Sequence, residues 1–175
     1  MRFSQTSNLA AAFLLATLTA TAYAAGKPSD AQIAHIAYTA GNLDVKAAKV
    51  ALEKSKNPDV RAFADNMVKD HTAVNDKALA LVKKLGVTPE DNDTSKGLVK
   101  QEGEKQAELA KLSGPSFDKA YVDNEVAYHK TVIAALEKTL IPSAENAELK
   151  SLLQTGVKIF KGHEEHAETI ASGLK

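Results

Sequence analysis

Apolar residues recur every three or four positions through long stretches of this chain, and caps or breakers close each stretch. Ile36, Ala40, Leu43, Ala47 and Val50 form the first such stripe. Phe63, Met67, His71, Val74, Ala78, Leu81 and Leu85 form the second, and Leu149, Leu153, Val157, Phe160, His163, Ala167 and Ile170 the last. Runs of this length on a helical period leave helix packed on helix as the way to bury them. Abundant alanine, no tryptophan and few β-branched runs point the same way.

The punctuation gives the order of elements. Ser29-Asp30-Ala31-Gln32 reads as a capping box for a first helix. Asn57-Pro58 ends it and starts the second, which Gly86 stops, so these two are antiparallel neighbours. After a polar loop, Thr94 or Ser95 caps a third helix reaching about Leu112. Its apolar positions, Leu98, Leu109 and Leu112, are sparse enough to place it on the outside. Ser113-Gly114-Pro115 breaks it; a fourth helix spans about Ser116 to Leu140, and Ile141-Pro142-Ser143 turns the chain into a fifth, about Glu145 to Ser172. The long helices measure about 40 Å and the outer one about 28 Å, enough to carry the chain back along the bundle. The expected fold is all-α: a ferritin-like four-helix bundle with an additional outer crossover helix.

The N-terminus reads differently. Arg2, the apolar stretch Leu9 to Leu18 and the small-x-small pattern Ala22-Tyr23-Ala24 are those of a cleaved signal peptide over residues 1–24. Residues 25–175 then form a single exported domain, periplasmic or secreted. With 22 basic and 22 acidic residues mixed along every segment, there is no basic stripe for nucleic acid and no polybasic patch for a membrane. No second long apolar run calls for membrane insertion after cleavage. A cysteine count of zero removes disulfides and thiol nucleophiles. Phosphate-binding loops and nucleophile elbows are missing too, and nothing indicates an organic cofactor.

What remains is a set of polar residues on the apolar stripes. Counting 1.5 Å per residue from the first turn, Asp44 lies about 18 Å down and His71 about 21 Å. Glu125 and His129 fall about 14 and 20 Å down the fourth helix, and His163 about 15 Å from the top of the last. These five candidates share a slab of roughly 7 Å. Imidazole plus carboxylate suits a single zinc, iron, manganese or copper ion without selecting among them. The di-iron pattern Glu-x-x-His is absent, because Val126 and Phe160 stand three before His129 and His163. Met67, one turn before His71, offers a soft donor for copper, and His166 is a secondary ligand. His35 belongs on the surface, and Asp70 toward a neighbouring helix or water. The competing reading is a metal-free polar cluster that fixes helix register in a structural or interaction module. In that case pairing to Asp44 and Glu125 is expected to raise the imidazole pKa values.

The blocks NPDVRAFADNMVKDHTAVN, FDKAYVDNEVAYHKTVI and HEEHA, within about Ile33 to Ile170, resemble the exported domain of unknown function 4142 family. The resemblance implies a ferritin-like bundle with a histidine in each matching block, here His71, His129 and His163. It implies an acidic residue on the first helix, commonly glutamate and here Asp44. Relatives often carry a further histidine where this chain has Asn124. The resemblance brings no defined activity or protein partner. A redox or stress-protective role is the expectation for a metal-binding bundle of this kind.

Overall fold

A computed structural model describes residues 27–174, so the leader expected over residues 1–24 lies outside the described residues. Helix α1 spans Asp30–Lys54, α2 Pro58–Leu85, α3 Asp93–Ala110, α4 Gly114–Ala135 and α5 Ala147–Gly173. There is no strand among the described residues. No helix among them is long and apolar enough to cross a membrane.

Each boundary has a local cause. Ser29 accepts from the Gln32 amide while Gln32 accepts from the Ser29 amide, the reciprocal box expected for α1. Asn57 Oδ1 accepts from the amides of Asp59 and Val60, and Pro58 occupies the first turn of α2. Gly86 ends α2 at φ 65°, where a side chain would be strained. The cap of α3 is Asn92 rather than Thr94 or Ser95. Its side chain reaches the Ser95 amide, and Ser95 returns the bond to the Asn92 amide. Helix α5 starts at Ala147 because Asn146 accepts from Glu148 and Leu149.

The two ends of the fourth helix depart from expectation. Pro115 lies inside its first turn, where a missing N–H costs nothing, so only Ser113 stays outside. At the other end the chain does not turn at Leu140. It continues through a wide π turn, Leu136–Leu140, into a last α turn, Ile141–Ser143. The Ile141 amide bonds Leu136 O, five residues back. Pro142 has no N–H to offer Lys138 and its ring would crowd that carbonyl, and the widened turn gives the ring room.

Helices α1 and α2 form one antiparallel hairpin, α4 and α5 the other, with α2 against α5 and α1 against α4. Helix α3 lies outside α1 and runs parallel to it. Its start is tied to the start of α1 by Asn92 to Gln32 O at 3.4 Å and Glu90 to Ala31 O at 3.1 Å. Its end is tied by Lys54 to the carbonyls of Leu109 and Ala110, at 3.2 and 2.7 Å. Asp30 binds the amides of Glu145 and Asn146, fixing α1 to the start of α5. One apolar cluster, with Ala48, Val60, Phe63, Met67, Phe117 and Tyr121, fills the upper half of the bundle. A second, with Ile33, Ile133, Leu136, Leu149, Leu153 and Phe160, fills the lower half. The polar seam residues sit between them.

Candidate metal centre

In α4 every fourth residue from Phe117 to Ile133 is buried, which sends Tyr121, Glu125 and His129 into the interior as a column. The buried stripe of α2 passes through Met67, His71 and Asn75, and that of α5 through Phe160, His163 and Ala167. Asp44 sits among Leu43, Ala47 and Ala48 on α1. The five seam residues range from 1 to 7 % exposed.

The three imidazoles converge. Ring centroids of His71 and His129 lie 5.7 Å apart, those of His71 and His163 5.2 Å, and those of His129 and His163 5.6 Å. One ring nitrogen from each lies within 4.8 Å of the others. Phe160 closes the lower side, stacked on His71 at 4.7 Å with planes 4° apart. Below it the lower half of the bundle holds an apolar cavity of about 140 Å³, lined by residues such as Ala78, Val82, Leu136 and Leu153.

Hydrogen bonds orient two of the rings and leave nitrogens free. His129 Nδ1 lies 2.9 Å from Glu125 O, so it carries the proton and Nε2 keeps its lone pair. His163 Nε2 lies 3.1 Å from Asp70 Oδ2, which leaves Nδ1 as its lone pair. His71 Nδ1 is 3.5 Å from Asp44 Oδ2 and makes no hydrogen bond. Four buried ring nitrogens in this trio, both of His71, Nε2 of His129 and Nδ1 of His163, therefore have no partner in the protein. Leaving a buried polar atom unpaired costs roughly 1–3 kcal/mol. A carboxylate or carbonyl behind the far nitrogen of an imidazole is also how metal-bound histidines are held.

Electrostatics departs from the sequence expectation. Burial, reinforced by the other two rings, holds the His71 pKa well below the usual imidazole range. Burial brings His129 down to about 4, against the opposing hydrogen bond to Glu125 O, and lowers His163 despite Asp70. The expectation that pairing raises these values is overturned: removing the rings from water outweighs their acidic neighbours. The carboxyls move the other way. Burial, then Glu102, pushes Glu125 up to about 8, and burial with the facing Glu125 raises Asp44 well above its usual value. Burial thus works against charge on each of the five residues.

The structure brings all five predicted residues together as two overlapping groups, His71/His129/His163 and Asp44/Glu125/His129. His166 stays apart from them, exposed and edge-on to Phe63 at 5.4 Å. His35 is part-buried beside Asp91, 4.0 Å away. Met67 is fully buried in the upper apolar cluster. Three contributors had no role in the site on the sequence reading, although it turned Asp70 toward a neighbouring helix or water. Asp70 faces α5 and holds His163, while Tyr121 stands one turn before Glu125. The third is Glu102, buried on the outer α3. The signal of its inward face is the spacing to Leu98 and Leu109, four before and seven after it, and Gln106 one turn on donates to it at 2.7 Å.

The profile of the family described as "Domain of unknown function (DUF4142)" matches residues 15–170, and the chain belongs to that family. No curated protein matches. Among solved structures the fold is similar to "CopM in the Cu(II)-bound form", with a TM-score of 0.64 and 14% identity. That match covers 85% of this chain and all of CopM, 100%. It is also similar to "CopM in the Ag-bound form (by co-crystallization)", with a TM-score of 0.63 and 13% identity over 84% of this chain and 98% of that one. At these identities the likeness speaks for the helical fold.

Proposed function

We propose that this family member is an exported helical bundle that holds a transition metal ion at mid-bundle through His71, His129 and His163. The observation that carries this reading is the set of unpartnered nitrogens on three converging, buried imidazoles. A cluster that served only to fix helix register would be expected to satisfy its own donors and acceptors. Asp44 and Glu125 supply negative charge beside the ion, as a ligand or as the groups behind His71 and His129. The low pKa values support the reading, since the ligand nitrogens are already deprotonated near neutral pH.

Imidazole nitrogens suit copper, zinc and iron alike, and the similarity to copper- and silver-bound CopM makes copper the first ion to test. Residues 1–24 act as the cleaved leader, which places residues 25–175 in the periplasm or outside the cell as one domain. Burial of the ion away from water fits sequestration, a stress-protective role, and redox cycling would be confined to whatever reaches the interior. Elemental analysis of the protein purified from the periplasm tests the proposal. One bound transition metal ion per chain is expected, and its loss on replacing any of the three histidines by alanine. A chain that takes up no metal, with variants that only unfold more easily, identifies a structural module instead.

A further inference from the structure

The two halves of the bundle are filled differently. Phe63, Phe117 and Tyr121, all fully buried, fill the upper half. The lower cluster has no aromatic ring except Phe160 at its ceiling. Small residues from all four long helices stand there instead: Ala34 and Ala40 on α1, Ala78 on α2, Ala135 on α4 and Gly156 on α5. The room they leave is the cavity of about 140 Å³ beneath Phe160. Both ends of the π turn, Leu136 and Leu140, belong to its wall, so the helix is widened where it borders this space.

The lining defines what can enter. Among the described residues no charged side chain and no histidine borders the cavity. Asn75 does, and its amide is already engaged with Asn42 at 3.1 Å. The remaining polar groups, Thr94 and Gln101 on α3 and Thr131 on α4, are exposed and form an outer rim. An ion would forfeit its hydration inside and gain no partner. Apolar cavities of about 150 Å³ take up guests the size of benzene. The Phe160 ring at the ceiling offers an aromatic guest a further contact.

We propose that the lower half of the bundle is a binding site for one small uncharged molecule built on a single aromatic ring. A neutral polar substituent, where the guest has one, sits at the rim of Thr94, Gln101 and Thr131. Burial of the ring against Val82, Leu136, Leu149 and Leu153 supplies the affinity, and the cavity volume limits the size. The site goes beyond the metal reading and does not need it. Phe160, stacked on His71, is the wall the two share.

The test titrates the mature protein, without added metal, with toluene and follows its methyl groups by carbon–proton NMR. Methyls of Val82, Leu136, Leu149 and Leu153 should shift saturably, with one toluene per chain and a Kd below about 1 mM. Those of Val60 and Val122 in the upper cluster should stay in place. Benzoate, the same ring with a charge, should bind about tenfold more weakly or worse. Ala135→Leu puts a larger side chain into the cavity and should weaken toluene binding about tenfold or more, at equal helix content by circular dichroism. Should that variant not fold, Leu153→Ala decides, because the wider cavity should bind naphthalene more tightly than the unaltered protein does. The proposal is overturned if toluene gives no saturable shift, if the shifts spread evenly over both clusters, or if benzoate binds as well. It is equally overturned if filling the cavity leaves toluene affinity unaltered, or widening it leaves naphthalene affinity unaltered. Each outcome is read without metal, so this site and the imidazole site stand or fall separately.

Discussion

Phe160 lies flat on His71, ring centroids 4.7 Å apart and planes within 4° of parallel. The pair divides the polar middle of the bundle from its apolar lower half. It also locks the orientation of the one ring whose nitrogens both lack a hydrogen bond. A side chain held by stacking rather than by hydrogen bonds keeps its donor atoms available.

Removing that wall should loosen the site without deleting a ligand. Phe160→Ala should cost about 3–5 kcal/mol of stability as a large-to-small core change. Phe160→Leu keeps most of the volume and should retain the fold. Copper should then still bind at one ion per chain but dissociate faster. Stopped-flow transfer to a chelator measures this, and an unchanged off-rate would show that the stack does not position His71.

Asp70 should matter through His163 alone. Its carboxylate lies 3.1 Å from Nε2 and is itself part-exposed. Asp70→Ala should leave folding nearly untouched and lower metal affinity about 10–100-fold, as expected for a group behind a metal-bound imidazole. Competition titration against a chelator of known affinity checks it. Equal affinity in both proteins would remove Asp70 from the site.

Stability of the metal-free protein should depend on pH in two opposed ways. Glu125, raised to about 8 in the folded state from an ordinary 4.5, stays protonated where the unfolded chain is ionised. Its contribution is therefore present below pH 4.5 and lost as pH rises toward 8, with Asp44 acting in the same direction. The histidines have depressed values, so their contribution is present above 6.5 and lost as pH falls, for His129 down through about 4. Melting temperature should thus be nearly flat between about pH 4.5 and 6.5, where the two oppose, and fall from 6.5 to 8. Glu125→Gln should weaken the alkaline fall and uncover an acid one. Bound metal should reverse the alkaline fall, because it replaces protons in the folded state. A melting profile indifferent to both changes would rule out this linkage.

The hairpin of α1 and α2 is close-fitted at Gly41. A β-carbon there would lie 2.4 Å from Asn75 Oδ1, and the Asn75 side chain also donates to Asn42 at 3.1 Å. Gly41→Ala should destabilise by about 1–3 kcal/mol through overpacking. Gly103, exposed in the middle of α3 with nothing within 4 Å, is the control. Gly103→Ala should stabilise by about 0.5–1 kcal/mol by helix propensity. Urea unfolding of both variants settles the contrast.

The stripes made the bundle readable from the chain, and with it the histidines. A residue four positions from Met67 or Tyr121 must share its face, so His71 and Glu125 had to point inward. Boundaries slipped where two local chemistries competed, as with Asn92 over Ser95, or the π turn that let the helix pass Pro142. Glu102 was hidden because α3 buries so little apolar surface that its inward face leaves almost no pattern. Asp70 was ambiguous because its direction depends on how α2 and α5 rotate against each other, which spacing along one helix does not encode. The direction of the imidazole shifts followed from depth of burial, a property of the assembled bundle rather than of any pair of residues.

Helix α3 spans the outside of α1 with firm anchorage at its two ends and little apolar grip between them. Among the helices it is therefore the one whose lifting exposes the least hydrophobic surface to water. Exchange of backbone amides with solvent is accordingly expected to be fastest along this strap. Lys54 and Asn92, the latches at its two ends, set how fast that exchange runs.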